Sequence, residues 1–133
     1  VDTGPLVAFL NRRDRLHGWA RRQLAELEPP LLTCEAVVTE TCHLVRNLEG
    51  GSEAVMRLIT SGALVVPFRL DQELGPVAKL LRKYADVPMS LADACLVRMA
   101  EQVADSTVLT VDTDFRVYRK HGRQVIPTML PQA

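Results

Sequence analysis

Cysteine is scarce in this sequence and has no spacing that metal or redox chemistry could use. Cys34, Cys42 and Cys95 make an odd three without a C-x-x-C pair, and two of them sit in apolar helical patterns. That argues against a disulfide scaffold or a zinc knuckle and suits a reducing cytosol, so a cytoplasmic protein is expected. Aromatics are few: three Phe, two Tyr and one Trp. Stacking of nucleobases, which uses such rings, therefore cannot be read from the sequence. Surplus charge is missing as well. The 16 basic and 16 acidic residues cancel, so no global field draws the chain to nucleic acid or membrane. No apolar run reaches the ~18 residues of a membrane helix, and no signal-peptide core opens the chain. Repeats, low-complexity tracts and linkers are absent.

What is present is ordinary globular composition. At 133 residues, 47% hydrophobic and 24% charged, the chain can bury a real core, and residues 1–133 are read as one domain. Lysine accounts for only three cations, Lys79, Lys83 and Lys120, leaving 13 arginines. The planar guanidinium suits bidentate contacts with phosphate or carboxylate. Two clusters stand out: Arg12, Arg13, Arg15, Arg21 and Arg22, and later Arg116, Arg119, Lys120 and Arg123. Solvated helix faces would explain either one alone.

Proline and glycine divide the chain into helix- and strand-length pieces. Residues 5–13 and 16–28 read as helices, the second with Trp19, Ala20, Leu24 and Leu27 at helical spacing. "LLT" at 31–33 is a short strand with Thr33 as the next helix's cap. Residues 35–48 place Val37, Val38, Thr41, Leu44, Val45 and Leu48 on one stripe. Gly50-Gly51 stops that helix, and Ser52 caps another that runs to Ser61. "ALVVPF" reads as a buried strand, and "DQELGPVAKLLRKYA" as a helix with an irregularity at Gly75-Pro76. Residues 91–103 form a helix whose stripe is Ala92, Cys95, Leu96, Met99 and Val103; "STVLTVD" and "QVIPTML" are strands. Strands alternating with helices predict an α/β fold with a mainly parallel sheet, which binds ligands beyond the strands' carboxyl ends. Val1 directly precedes Asp2, so we expect apolar residues ahead of Val1 that complete a first strand.

That rule draws attention to the acids. Each has an ordinary explanation. Ser90-Leu91-Ala92-Asp93 fits a capping box, Glu40 flanks its helix's apolar stripe as a solvated glutamate would, and Asp112 and Asp114 in "LTVDTDF" fit a turn. Asp2 precedes Thr3-Gly4-Pro5, small residues that let backbone pass close to a ligand. Together Asp2, Glu40, Asp93 and Asp112, with Asp114 alongside, form a set. Carboxylates brought close repel one another unless a cation intervenes. Oxygen donors without a His or Cys partner select hard ions such as magnesium or manganese.

"VDTGPLVAFLNRRDRLH", "VVTETCHLVR", "YADVPMSLADACLVRMAE" and "VLTVDTDF" resemble the four signature blocks of PIN-domain ribonucleases. The likeness is closest to VapC-type toxins of toxin–antitoxin pairs, and the blocks run in order from residue 2 to about residue 127. The resemblance implies an α/β/α three-layer sandwich around a mainly parallel sheet of four to five strands. It implies cleavage of RNA phosphodiesters with Mg2+ or Mn2+ held by Asp2, Glu40, Asp93 and Asp112, and an auxiliary role for Asp114. Many relatives carry another Asp three residues before the third acid, where this chain has Ser90. It also implies a homodimer, and an antitoxin whose tail lies in a groove and presents a basic side chain to the acids; Trp19, Leu24 and the second helix's arginines are candidate contacts. An RNA-processing nuclease without an antitoxin, or a catalytically silent PIN-like binding module, would keep the same fold.

Overall fold

Proline, glycine and helix caps set where each element ends. The computed structural model describes residues 1–132. In chain order the elements are α1 (Thr3–Leu10), α2 (His17–Glu26), β1 (Leu31–Leu32), α3 (Glu35–Leu44), α4 (Gly51–Thr60) and β2 (Leu64–Val65), then α5 (Leu74–Lys83), α6 (Leu91–Gln102), β3 (Val108–Leu109), β4 (Arg119–Lys120), β5 (Gln124–Val125) and β6 (Thr128–Met129). Short 3-10 turns cover Leu70–Gln72 and Thr113–Arg116. Helices alternate with parallel strand pairs, so the architecture is α/β.

The strands are shorter than the apolar runs suggest. β1 pairs in parallel with β2, and β3 with β6, two residues each. Pro30 precedes β1, Pro67 follows β2, and Pro127 and Pro131 bracket β6; none can donate to a ladder, which limits extension. The implied four-to-five-stranded sheet is therefore not one continuous ladder. Val1 and Asp2 lie between the two pairs: the Val1 nitrogen donates to the Leu32 carbonyl at 2.6 Å, and the Asp2 N–H to the Leu109 carbonyl at 2.9 Å. One backbone bond to each side joins the pairs without completing a strand by hydrogen-bond pattern. "QVIPTML" is not a single strand either. Ile126-Pro127 splits it into β5, antiparallel to β4, and β6.

α3 stops at Leu44, ahead of the expected Leu48, because residues 45–51 tighten into i→i+3 turns (Leu48 N–H to Val45 O, Gly51 N–H to Leu48 O). Leu44 accordingly leaves the predicted stripe and is 52% exposed, while Val37, Thr41 and Val45 are buried. Thr33 does not cap α3; the cap position is Cys34, and the Thr33 hydroxyl donates to the Val1 carbonyl at 2.8 Å. Nor does Ser52 cap α4, whose cap position is Gly50 in the left-handed region (φ 64°). The irregularity expected at Gly75-Pro76 lies earlier, between the 3-10 turn and α5 at Glu73. Pro76 then stands in the first turn of α5, where its missing N–H costs no helical bond.

α6 is the central helix. Ala92, Asp93, Ala94, Cys95, Leu96, Val97, Met99 and Ala100 are all buried, far more than one stripe, and of the predicted stripe Val103 alone is exposed. Its alanines let α3 and α5 pack closely against it. Phe115 and Tyr118 are fully buried and meet edge to face at 5.2 Å between ring centroids, so Phe115 anchors the segment after the acids as expected.

Candidate active site

Three of the acids stand at helix starts, and the local sequence explains why. Asp2 caps α1, its Oδ1 accepting from the Thr3 N–H at 2.7 Å. Asp112 caps the 3-10 turn, its Oδ1 accepting from the Asp114 N–H at 2.8 Å. Asp93 completes the capping box read from the sequence: its N–H donates to Ser90 Oγ at 3.0 Å, and its Oδ2 accepts from the Ser90 N–H at 3.2 Å. A helix amino end favours an anion, so capping and ligand binding draw on the same field. Replacing Ser90 by alanine removes one half of the box. The expected loss is about 1 kcal/mol of stability in urea unfolding.

Asp2 and Asp93 are buried, 7% and 8% exposed; Asp112 and Asp114 are half-buried, and Glu40 stands exposed on α3. Burial pushes the Asp2 carboxyl above its ordinary acidity range, hydrogen bonds from Thr110 and Thr3 oppose the rise, and the Asp112 charge adds to it. Asp93 is also pushed up, first by burial, with Ser90 and Tyr118 opposing and Asp2 adding. Glu40 rises through partial loss of hydration and then through the charges of Asp2 and Asp93. Side chains from α1, α3, α6 and the β3 end thus share one electrostatic neighbourhood.

Two supporting groups were not singled out in the sequence. The Thr110 hydroxyl donates to Asp2 Oδ2 at 2.6 Å, and its oxygen accepts from the Asp112 N–H at 3.0 Å, linking the two acids. Two-residue periodicity, which puts Thr110 and Asp112 on one strand face, is the signal that finds it. The Tyr118 hydroxyl donates to Asp93 Oδ2 at 3.0 Å. No local pattern points to that contact.

Among the described residues, none of the five acids forms an ion pair; the ion pairs are Arg69–Asp71, Arg98–Glu73 and Arg98–Glu101. Also among them, no three His, Cys, Asp or Glu side chains stand close enough together to make a ready metal shell. The convergence is electrostatic rather than a closed set of ligands, and protein donors hold each aspartate: Thr3 and Thr110 for Asp2, Ser90 and Tyr118 for Asp93, and the Asp114 N–H for Asp112. The donor chemistry nevertheless fits a hard cation. Asp93 Oδ1 and the Glu40 carboxylate are outside the hydrogen bonds described above, and the buried Thr3 hydroxyl oxygen beside Asp2 has no hydrogen-bond partner among the described residues.

The raised acids give a pH signature. A carboxyl whose pKa is higher folded than unfolded adds stability below the unfolded value, about 4, and loses it as pH rises through the folded value. The thermal advantage of Asp93→Asn over the parent, both metal-free, is therefore expected to be largest at neutral pH and to narrow toward pH ~4. A margin unchanged across that range would show that the carboxylate bears no such strain.

The two arginine clusters are engaged differently. Arg12, Arg13, Arg15, Arg21 and Arg22 are exposed and, among the described residues, in no ion pair. Arg119 has another use: its Nη1 donates to the carbonyls of Arg116, Val117 and Tyr118 at 2.6, 3.1 and 3.0 Å. Trp19 is half-buried, bordering a cavity with Arg15, Arg22 and Leu130. Leu24 borders an apolar cavity of about 380 Å³ with Leu6, Phe9, Leu27, Leu58 and Leu64.

Sequence comparison relates the chain to known proteins. The chain is similar to Ribonuclease VapC26 of Mycobacterium tuberculosis, 27% identical over 114 residues that cover 84% of each protein. The family model for the PIN domain matches residues 1–121. The match takes in Asp2, Glu40, Asp93, Asp112 and Asp114 together, and the chain belongs to the PIN-domain family.

Proposed function

We propose that the protein is a divalent-metal-dependent ribonuclease and the toxin of a toxin–antitoxin pair, folded as a single PIN domain over residues 1–133. The observation that carries this reading is the placement of Asp2, Glu40 and Asp93, each raised first by burial and then by a neighbouring carboxylate, and none of them, among the described residues, in an ion pair with a basic side chain. Family membership and the name of the similar ribonuclease support it.

In this reading Asp2, Asp93 and Asp112 hold magnesium or manganese, with Glu40 at the exposed edge. A bound ion of this kind supplies Lewis-acid polarisation of a phosphodiester and acidification of water. Thr110 keeps Asp2 and Asp112 in register, and Tyr118 and Ser90 orient Asp93. Glu40, exposed and already raised, accepts a proton from the attacking water. The unpaired arginines Arg12, Arg13 and Arg15 take flanking phosphates, contacts that position RNA without reading its bases. The half-buried Trp19, the cavity at Leu24 and the α2 arginines receive an antitoxin segment, whose basic side chain would offset the acids. A cytoplasmic homodimer is the expected working form.

The test is cleavage of a mixed RNA pool with Mg2+. Activity is expected with the ion, is lost on chelation and returns when magnesium or manganese is restored. Magnesium is also expected to raise the unfolding temperature of the parent and not that of Asp93→Asn. Growth arrest on expression, relieved by the product of an adjacent reading frame, separates a toxin from a processing nuclease. The absence of a ready three-ligand shell among the described residues favours one competing reading, a silent RNA-binding module. RNA binding without cleavage at any ion concentration would establish it.

A further inference from the structure

The single tryptophan of the chain stands in a cationic cavity. Trp19 is half-buried in the first turn of α2. It lines a cavity of about 550 Å³ together with Arg15, Arg22 and Gln23. Arg22 and Gln23 follow Trp19 by three and four residues, a spacing that puts them on its helix face. Arg15 lies in the turn that leads into α2. The Nη1 of Arg22 is 3.5 Å from the point where a Gly18 Cβ would stand, so the missing side chain leaves that flank of the guanidinium open. Both arginines are exposed and, among the described residues, in no ion pair.

Strand register puts this cavity at the acid end of the sheet. β6 runs parallel to β3 with Met129 level with Leu109, and the Thr110 N–H donates to the Met129 carbonyl at 3.2 Å. Leu130 and Pro131, which also line the cavity, therefore leave the sheet at the same end as Val111 and Asp112. An indole stacks on any unpaired base, and a guanidinium takes phosphate. A ring beside two uncommitted cations suits a ligand in which flat, uncharged groups alternate with anions, which is the makeup of a nucleic-acid single strand.

We propose that this cavity is a subsite for single-stranded RNA, in which Trp19 stacks on an unpaired base while Arg15 and Arg22 hold the phosphates beside it. Gln23 offers an amide donor and acceptor to the edge of that base. This subsite rests on the nuclease reading and extends it: the strand that presents a phosphodiester to the acids continues past α2. A base paired in a duplex has no free face to offer the indole. An antitoxin segment that meets Trp19 covers the same subsite, so the two ligands exclude each other.

Binding is read without cleavage, in EDTA, from the emission of Trp19, which no other indole obscures. A short oligoadenylate is expected to quench it to saturation. An abasic ribose-phosphate oligomer of equal length, and the oligoadenylate paired with oligouridylate, should leave it unchanged. Trp19→Leu should weaken binding of a dye-labelled oligoadenylate about 10-fold, as the loss of one stacked base does. Replacing Arg15 and Arg22 together by glutamine should lower the slope of log affinity against log salt by about 1.4, the worth of two single-strand phosphate contacts. If Trp19→Leu does not fold, the quenching and the arginine variant decide. Equal quenching by the abasic oligomer, or an unaltered salt slope in the arginine variant, would overturn the proposal. So would Trp19 emission that no oligomer changes, which would leave the cavity to the antitoxin segment. RNA cleavage under Mg2+ with Trp19 silent would remove the subsite and spare the nuclease reading, whereas quenching without cleavage would do the reverse.

Discussion

Exchanging Asp93 for asparagine is expected to lower RNA cleavage by on the order of 10²–10³-fold, the rate equivalent of several kcal/mol of metal-dependent stabilisation, while the fold remains at least as stable at neutral pH. The hydrogen-bond pattern explains why one substitution separates the two properties. Asp93 Oδ2 receives both the Ser90 N–H and the Tyr118 hydroxyl, and an amide oxygen can occupy that place with both bonds kept. The capping box therefore survives. What disappears is a buried charge that burial and Asp2 already disfavour, so its removal relieves the folded state. A cation loses a ligand at the same time. Cleavage assays under Mg2+ and thermal unfolding of the same preparations check both halves. Parental activity in Asp93→Asn would end the catalytic assignment, whereas joint loss of activity and fold would show that the acid is chiefly structural.

Gly4→Ala is expected to be strongly damaging although the residue bears no functional group. A Cβ on Gly4 would overlap Val111 Cγ2, and Val111 immediately precedes Asp112. The Val111 side chain has to turn, or α1 or the end of β3 has to move, at a cost of about 1–3 kcal/mol for overpacking. A shift of either backbone segment separates Asp2 from Asp112, so activity should fall further than stability alone explains. Val111→Ala removes the obstructing Cγ atoms and should restore much of both in the double variant, giving a large coupling energy in a double-mutant cycle. Additive losses would place the damage elsewhere.

Much of this site is legible in the sequence because its parts are local. Ser90 and Asp93 announce their capping box within four residues, and Asp112 announces its turn through Asp114. Alternation of helix and strand likewise gives the α/β architecture. Features that depend on distant contacts are not legible. Periodicity puts Asp93 at the edge of a stripe, yet α6 is buried on nearly every side because α3 and α5 pack on its alanines. The stripe assigned to α3 runs on to Leu44 and Leu48, since nothing local shows that Gly51 lies against the Val45 carbonyl and that the helix has already ended. Tyr118 reaches Asp93 across 25 residues, and no spacing rule spans that interval. Strand lengths fail for a simpler reason. Apolar content marks where a segment is buried, but prolines decide how few of its amides can join a ladder.

Val1 and Asp2 connect the two parallel pairs by single backbone bonds, and Asp2 is also one of the acids that burial pushes up. The joint of the sheet and its strained charge are thus the same residue. Any breathing that parts the pairs admits water to that carboxylate and eases its return to ordinary acidity, so mechanical loosening and electrostatic relief occur in one movement.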